Sequence, residues 1–347
     1  MPRSVRVTDT EPRFEMWSTT YPEGVTEILF AQFGAQAPTL DEANSALGEI
    51  IPLVEQGDVP TVLDRGQFVD AYGYAHATLM VYWFDPEAYA RWSAQPAVQE
   101  FWSSRPLSGP VGYYRETAVI PRDHIETLYT PHDPKEYDTP GIAQHVEVGP
   151  TKVHDYWGSA RDRITASEHD DLDGELFEYT PTEVDTKGKR IEVPVPGNVC
   201  LIRTAQDWRK STVFKDDYFA NVGPVKDAGV DYLAVSPATG CIQTRKIDEQ
   251  SIDGDVIERS CTIGWFLSLE HLMTWSRAHR THLEIYGAFF EMMMGKDGEP
   301  MDMSLWHEVS VIPKDAATSL YVNCHNRTGF LTILDHVDGH VLEPAKT

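Results

Sequence analysis

The chain has 347 residues, 41% of them apolar and 11% aromatic, enough for two moderate domains or one domain built from two copies of a motif, and too apolar for disorder. With 54 acidic side chains against 29 basic ones, its formal charge is −25. Such a surface repels phosphate backbones and anionic lipid, which excludes nucleic acid and membrane surfaces as partners. The opening MPRSVRVTDTEPRFEMWS has no apolar signal core, and no stretch of apolar residues is long enough to span a bilayer. Cys200, Cys241, Cys261 and Cys324 lack CxxC pairing and read as reduced, buried thiols, so a cytoplasmic protein is expected.

In chain order, alternating β-branched and aromatic runs predict a strand over Glu27–Phe33, then a helix over Leu40–Val54. A strand before Ala71, a strand over Ala77–Phe84, a helix over Pro86–Trp102 and a strand over Gly112–Ile120 follow. Residues 131–197 are rich in Pro, Gly, Asp and Glu and read as a linker with an added hairpin, interrupted by the aromatic, arginine-rich island Tyr156–Ile164 (YWGSARDRI). The second half predicts strand Asn198–Ala205, helix Phe214–Leu233, strands Cys241–Lys246 and Ser260–Phe266, helix Leu269–Met294 and strand Met303–Ile312.

These two series match. YRETAVIPRDHIETLY (Tyr114–Tyr129) aligns without a gap on WHEVSVIPKDAATSLY (Trp306–Tyr321), and upstream MVYWF before a helix with Trp92-Ser93 resembles IGWF before a helix with Trp275-Ser276. Two matched places in one order point to duplication. Each copy reads as a split βαβ, ferredoxin-like unit, giving an α+β fold in which two sheets meet as a barrel-like sandwich with helices outside. The division is 1–130 for the first repeat, 131–197 for the linker and hairpin, and 198–347 for the second repeat.

Several residues are placed where chemistry is expected. On the helix Leu269–Met294, Leu272, Trp275, Ala278, Ile285 and Phe289 share one arc, and His282 falls roughly 20° from its centre. A histidine desolvated there must be hydrogen-bonded or bound to a metal. His279 lies at the edge of the arc. Their HxxH spacing would admit zinc, but no third ligand stands convincingly near. His307 shares a strand face with Leu305, Val309 and Val311, and the repeat places Arg115 at the equivalent position. Arg203, Thr204 and Gln206 break the apolar run of their strand, and Arg161 and Arg163 flank Asp162. HExxH, P-loop, GxSxG and Rossmann signatures are absent. CxxCH is absent too, so any haem would be held by an axial side chain alone.

Taken in order, YWGSARDRI, NVCLIRTAQDW, SRAHRTHLEIYGAFF, LWHEVSVI and YVNCHNRTGFL closely resemble the haem-containing aldoxime dehydratases of the phenylacetaldoxime dehydratase type. The resemblance implies a duplicated ferredoxin-like fold related to dimeric α+β barrel haem proteins, assembled as a homodimer. It implies a lyase that dehydrates R–CH=N–OH to a nitrile on ferrous haem b. Carried over residue by residue, it makes His282 the proximal iron ligand, His307 the distal acid–base group, and Arg163 and Glu126 distal polar groups. Thr204 stands where the family has serine; its extra methyl restricts χ1 and narrows the pocket. The segment MMMGKDGEPMD between the two histidines is slightly longer than in the family. Two alternatives stay open on the same fold: a peroxidase- or chlorite-dismutase-like enzyme, and a non-catalytic haem-binding protein.

Overall fold

A computed structural model describes residues 16–130, 141–151, 160–175, 177–296 and 298–342. The first half runs β1 (Trp17–Thr20), β2 (Glu27–Ala37), α1 (Leu40–Leu47), α2 (Ile51–Val54), β3 (Val62–Val69), β4 (Ala75–Trp83), α3 (Pro86–Ser93), α4 (Pro96–Ser104), β5 (Gly112–Pro121) and β6 (Ile125–Thr130). Between the halves lie β7 (Glu147–Pro150), α5 (Ala160–Arg163) and β8 (Arg190–Glu192). The second half runs β9 (Val199–Asp207), α6 (Lys215–Asp217), a π-helical turn (Tyr218–Val222), α7 (Gly223–Val235), β10 (Cys241–Gln250), β11 (Val256–Phe266), α8 (Leu269–Ala278), α9 (Arg280–Met294), β12 (Ser304–Ile312), β13 (Ala317–Val322) and β14 (His340–Leu342). Among the described residues no helix is long and apolar enough to cross a membrane.

The strands form one antiparallel sheet in the order β14-β8-β13-β5-β2-β4-β3-β10-β11-β9-β12-β6-β1-β7. β3 pairs with β10 and joins the halves, while β6 pairs with β12 and β13 pairs with β5, so each half lends a strand to the other. Residues 131–197 were expected to add a hairpin; among the described residues of this segment, β7 pairs with β1 and β8 with β13 and β14, at opposite ends of the sheet.

Strand alternation sorts the core. Phe30, Tyr82, Tyr114, Leu201, Ile263 and Trp306, drawn from both halves, pack together on one face, which requires the sheet to curl around them. The alternate residues of the first half, such as Phe33, Leu79 and Trp83, pack under α1–α4. Those of the second half form two separate outer clusters, one around Leu272, Met273, Val309 and Val311, the other around Trp208, Phe214, Met292 and Met303.

Three predicted helices are interrupted where the chain loses a backbone donor or meets a cap. Pro52 and Pro96 start new segments, since a proline supplies no amide hydrogen to the turn before it. The helix expected over Leu269–Met294 is broken at His279, whose extended ψ of 135° ends α8 and caps α9.

The YVNCHNRTGFL motif serves the fold. Asp70 in the β3–β4 turn lies 3.0 Å from His76 Nε2 and 2.8 Å from His325 Nε2. The Arg327 amide donates to His325 Nδ1 at 3.1 Å, which places the imidazole proton on Nε2, aimed at Asp70. The cluster is therefore a clasp between this turn and the loop after β13. Burial alone would raise the Asp70 carboxyl, but the bonds from His325 and His76 hold it well below the usual range.

Candidate haem and active site

β12 carries the central residue. Leu305, His307 and Val309 alternate onto its outer face, and His307 is 4% exposed. The sheet register places Thr204 of β9 opposite His307 on one side, and Leu128 of β6 opposite it on the other, with Glu126 opposite Val309. Residues directly opposed on antiparallel strands share a face, so Thr204, His307 and Glu126 belong to one surface. Arg203 and Glu308, one residue away from Thr204 and His307 respectively, point to the inner face. There Arg203, 1% exposed, bonds Asp64 at 2.8 Å and Glu249 at 3.1 Å. This settles the mixed polarity of CLIRTAQDW: Arg203 is an interior ion pair, and Thr204 belongs to the outer site.

Glu126 ties the site together. Its carboxylate receives Arg163 Nε at 2.9 Å and Arg163 Nη2 at 3.1 Å, and lies 2.9 Å from His307 Nε2. All three side chains are nearly sealed from solvent. Burial alone would raise the Glu126 carboxyl; the charges of Arg163 and His307 outweigh it and bring it down to about 2. Glu126 is therefore an anion at neutral pH; both of its oxygens grip the Arg163 guanidinium, and it faces the His307 imidazole as a close ion-pair partner. Thr204 is half-buried and donates its hydroxyl to the Trp306 carbonyl at 3.3 Å, which draws it toward β12. Arg163 lies in the described part of the YWGSARDRI island, Ala160–Ile164; Tyr156, Trp157, Gly158 and Ser159 lie outside the described residues.

His282 stands in the helical layer over this face. Trp275 of α8 packs with the cluster containing Val309 and Val311, while Phe289 and Met293 of α9 pack with that containing Leu305. On β12 His307 falls between those contacts, and on the helices so does His282. α9 rests chiefly on α7, α8 and the π-helical turn. Met292 is the one fully buried residue of α9, with His282, Ile285, Ala288 and Phe289 partly buried, so this apolar side is not closed onto the sheet.

The donor chemistry at His282 fits an axial haem ligand. Burial pushes its imidazole down to about 4, against a hydrogen bond to the Ser276 carbonyl that favours the protonated form. The ring is therefore neutral at physiological pH. With one N–H given to a carbonyl, the other nitrogen keeps its lone pair, the second-shell arrangement typical of metal-binding histidines. Trp275 meets the ring edge-on at 4.7 Å. His279 is engaged differently: its Nδ1 accepts from the Thr281 amide at 3.3 Å as the α9 N-cap. Sequence periodicity singled out both histidines; the cap separates them. Ser276 and Thr281 were not identified from the sequence, because their roles depend on the break at His279.

A pH dependence follows. Burial also lowers His76 to about 4, so both imidazoles stay neutral in the folded chain while the unfolded chain protonates them below about 6.5. Between these values the unfolded state binds more protons, and stability falls as pH drops from about 6.5 to 4. His76, 2% exposed, should contribute up to roughly 3 kcal/mol of this loss. Urea denaturation at stepped pH should show a flatter acid slope for His76→Gln; an unchanged slope would contradict the assignment.

Comparison with known proteins shows the family. Residues 31–330 match the family model of the haem-containing dehydratases. The chain is 37% identical over 330 residues to the phenylacetaldoxime dehydratase of Bacillus sp. (strain OxB-1), covering 93% of each. It is 33% identical to the aliphatic aldoxime dehydratase of Rhodococcus globerulus, covering 94% of this chain and 93% of that one. A crystal structure of an aldoxime dehydratase in complex with butyraldoxime superposes with a TM-score of 0.84 at 30% identity, covering 95% of this chain and 93% of that one. The chain belongs to the haem-containing dehydratase family.

Proposed function

We propose that this chain dehydrates aldoximes, R–CH=N–OH, to nitriles and water at a ferrous haem b held through His282. The observation that carries the reading is the buried Glu126–Arg163–His307 cluster, on the sheet face that lies under the His282 helix. Relatives named for aryl and aliphatic aldoximes support the substrate class.

A haem held through His282 would supply an electron-rich iron able to bind the oxime nitrogen and weaken the N–O bond. The residues supply the proton traffic. Hydroxide is a poor leaving group, so the His307 imidazole gives a proton to the oxime oxygen as the N–O bond breaks, then takes the carbon-bound proton as C≡N forms. One proton leaves carbon and one arrives on oxygen, so the cycle closes without net proton exchange. Glu126, an anion throughout, holds the imidazole through both transfers, and Arg163 keeps Glu126 from turning away. Thr204, beside His307, orients the N–OH group. The apolar helix side with Ile285 and Phe289 keeps bulk water from a reaction whose product is water.

The partner of His282 supports the ferrous state. A backbone carbonyl is a neutral acceptor; a carboxylate there would draw the N–H proton, make the ligand more anionic and favour ferric iron, as a peroxidase needs. We also read the halves as two ferredoxin-like copies, β2-α1-β3-β4-α3-β5 and β9-α7-β10-β11-α8-β12. The matching strand orders, β5-β2-β4-β3 and β12-β9-β11-β10, support that division.

The test compares oxidation states. Dithionite-reduced holoprotein should turn over phenylacetaldoxime or butyraldoxime, while air-oxidised protein should be nearly inactive and recover on reduction. Equal turnover by the two forms would refute the ferrous reading.

A further inference from the structure

The break between α8 and α9 also holds a directed chain of hydrogen bonds. Trp275 Nε1 lies 3.0 Å from Thr281 Oγ1, and that hydroxyl lies 2.9 Å from His279 Nδ1. An indole N–H can only donate, so the hydroxyl accepts from Trp275 and its own hydrogen goes to His279. The same Nδ1 accepts from the Thr281 amide, which agrees with a lone pair there. Tyr232 of α7 stacks on His279 at 4.8 Å with planes 28° apart, so all three helices of this layer meet at the break.

These residues also border His282. Trp275 lies edge-to-face on the imidazole at 4.7 Å and 70°, and the next residue, Ser276, provides the carbonyl that receives its N–H. Thr281 immediately precedes His282 in α9. The turn that carries the histidine therefore also tethers the indole that confines it.

We propose that Trp275, Thr281 and His279 form a bracket that positions the His282 ring, and through it sets the strength of the axial bond and the rate at which haem is lost. The proposal rests on His282 being the axial ligand. The indole edge limits rotation of the imidazole about its bond to the Ser276 carbonyl, provided the indole is held. Its holder is the Thr281 hydroxyl. The three are positioning residues and carry no proton for the reaction.

Thr281→Val keeps the branched shape and deletes the hydroxyl. In purified holoprotein it should still bind one haem per chain and keep its helicity. The iron–histidine stretching band of the reduced protein should shift or broaden, and haem should pass to excess apomyoglobin about 10-fold faster, the lower end for losing a second-shell contact. Thr281→Ser should restore both readouts. Trp275→Phe keeps an aromatic edge and leaves the α9 cap intact; it should reproduce the valine phenotype. A Thr281→Val protein with the parental band and transfer rate would overturn the proposal. His282→Ala separates the two ideas: loss of the band supports the axial assignment, and a retained band refutes that assignment whatever the bracket does.

Discussion

His307→Ala should keep its haem and lose its chemistry. The residue lies on the sheet, across from the helix that carries His282, so the Soret band should be unchanged. The fold should survive, because Glu126 keeps both of its bonds to Arg163 and no buried charge is left alone. Turnover should fall by about 10²–10⁴-fold, the usual cost of removing a positioned acid–base group. Steady-state nitrile formation, with haem content measured on the same sample, checks this. A variant that stays active while losing haem would mean that the two histidines have exchanged roles.

His282→Ala should abolish stable haem binding, whereas His279→Ala should retain one haem per chain. The contrast rests on what each ring already does. His282 gives one N–H to the Ser276 carbonyl, which leaves its other nitrogen as the proposed iron ligand, while His279 Nδ1 is committed to the α9 cap and to Thr281. His279→Ala should cost about 1 kcal/mol of stability, the typical worth of an N-cap, and should speed haem exchange through the bracket. Pyridine haemochrome assay of the two purified variants decides it; reversed phenotypes would reassign the ligand.

Much of this was legible in the sequence because strands obey a period of two. The alternation Leu305, His307, Val309 put His307 on the outer sheet face without any structure. The helices were less legible. A continuous helix over Leu269–Met294 gave His282 an apolar setting for a reason that does not survive, since the break at His279 resets the helical phase; what places the ring is Trp275 and Ser276 across that break. The interior ion pairs of Arg203 with Asp64 and Glu249 join residues 139 and 46 positions apart, so no local pattern could reveal them. Glu126 lies far from His307 in sequence, and only the β6–β12 register brings the two onto one sheet face.

The central claim is the reaction itself. Dithionite-reduced holoprotein incubated anaerobically with phenylacetaldoxime should release one nitrile for each aldoxime consumed, with no aldehyde or hydroxylamine, as gas chromatography would read directly. Unchanged aldoxime in the presence of fully loaded, reduced protein, or hydrolysis to aldehyde in place of nitrile, would contradict the account.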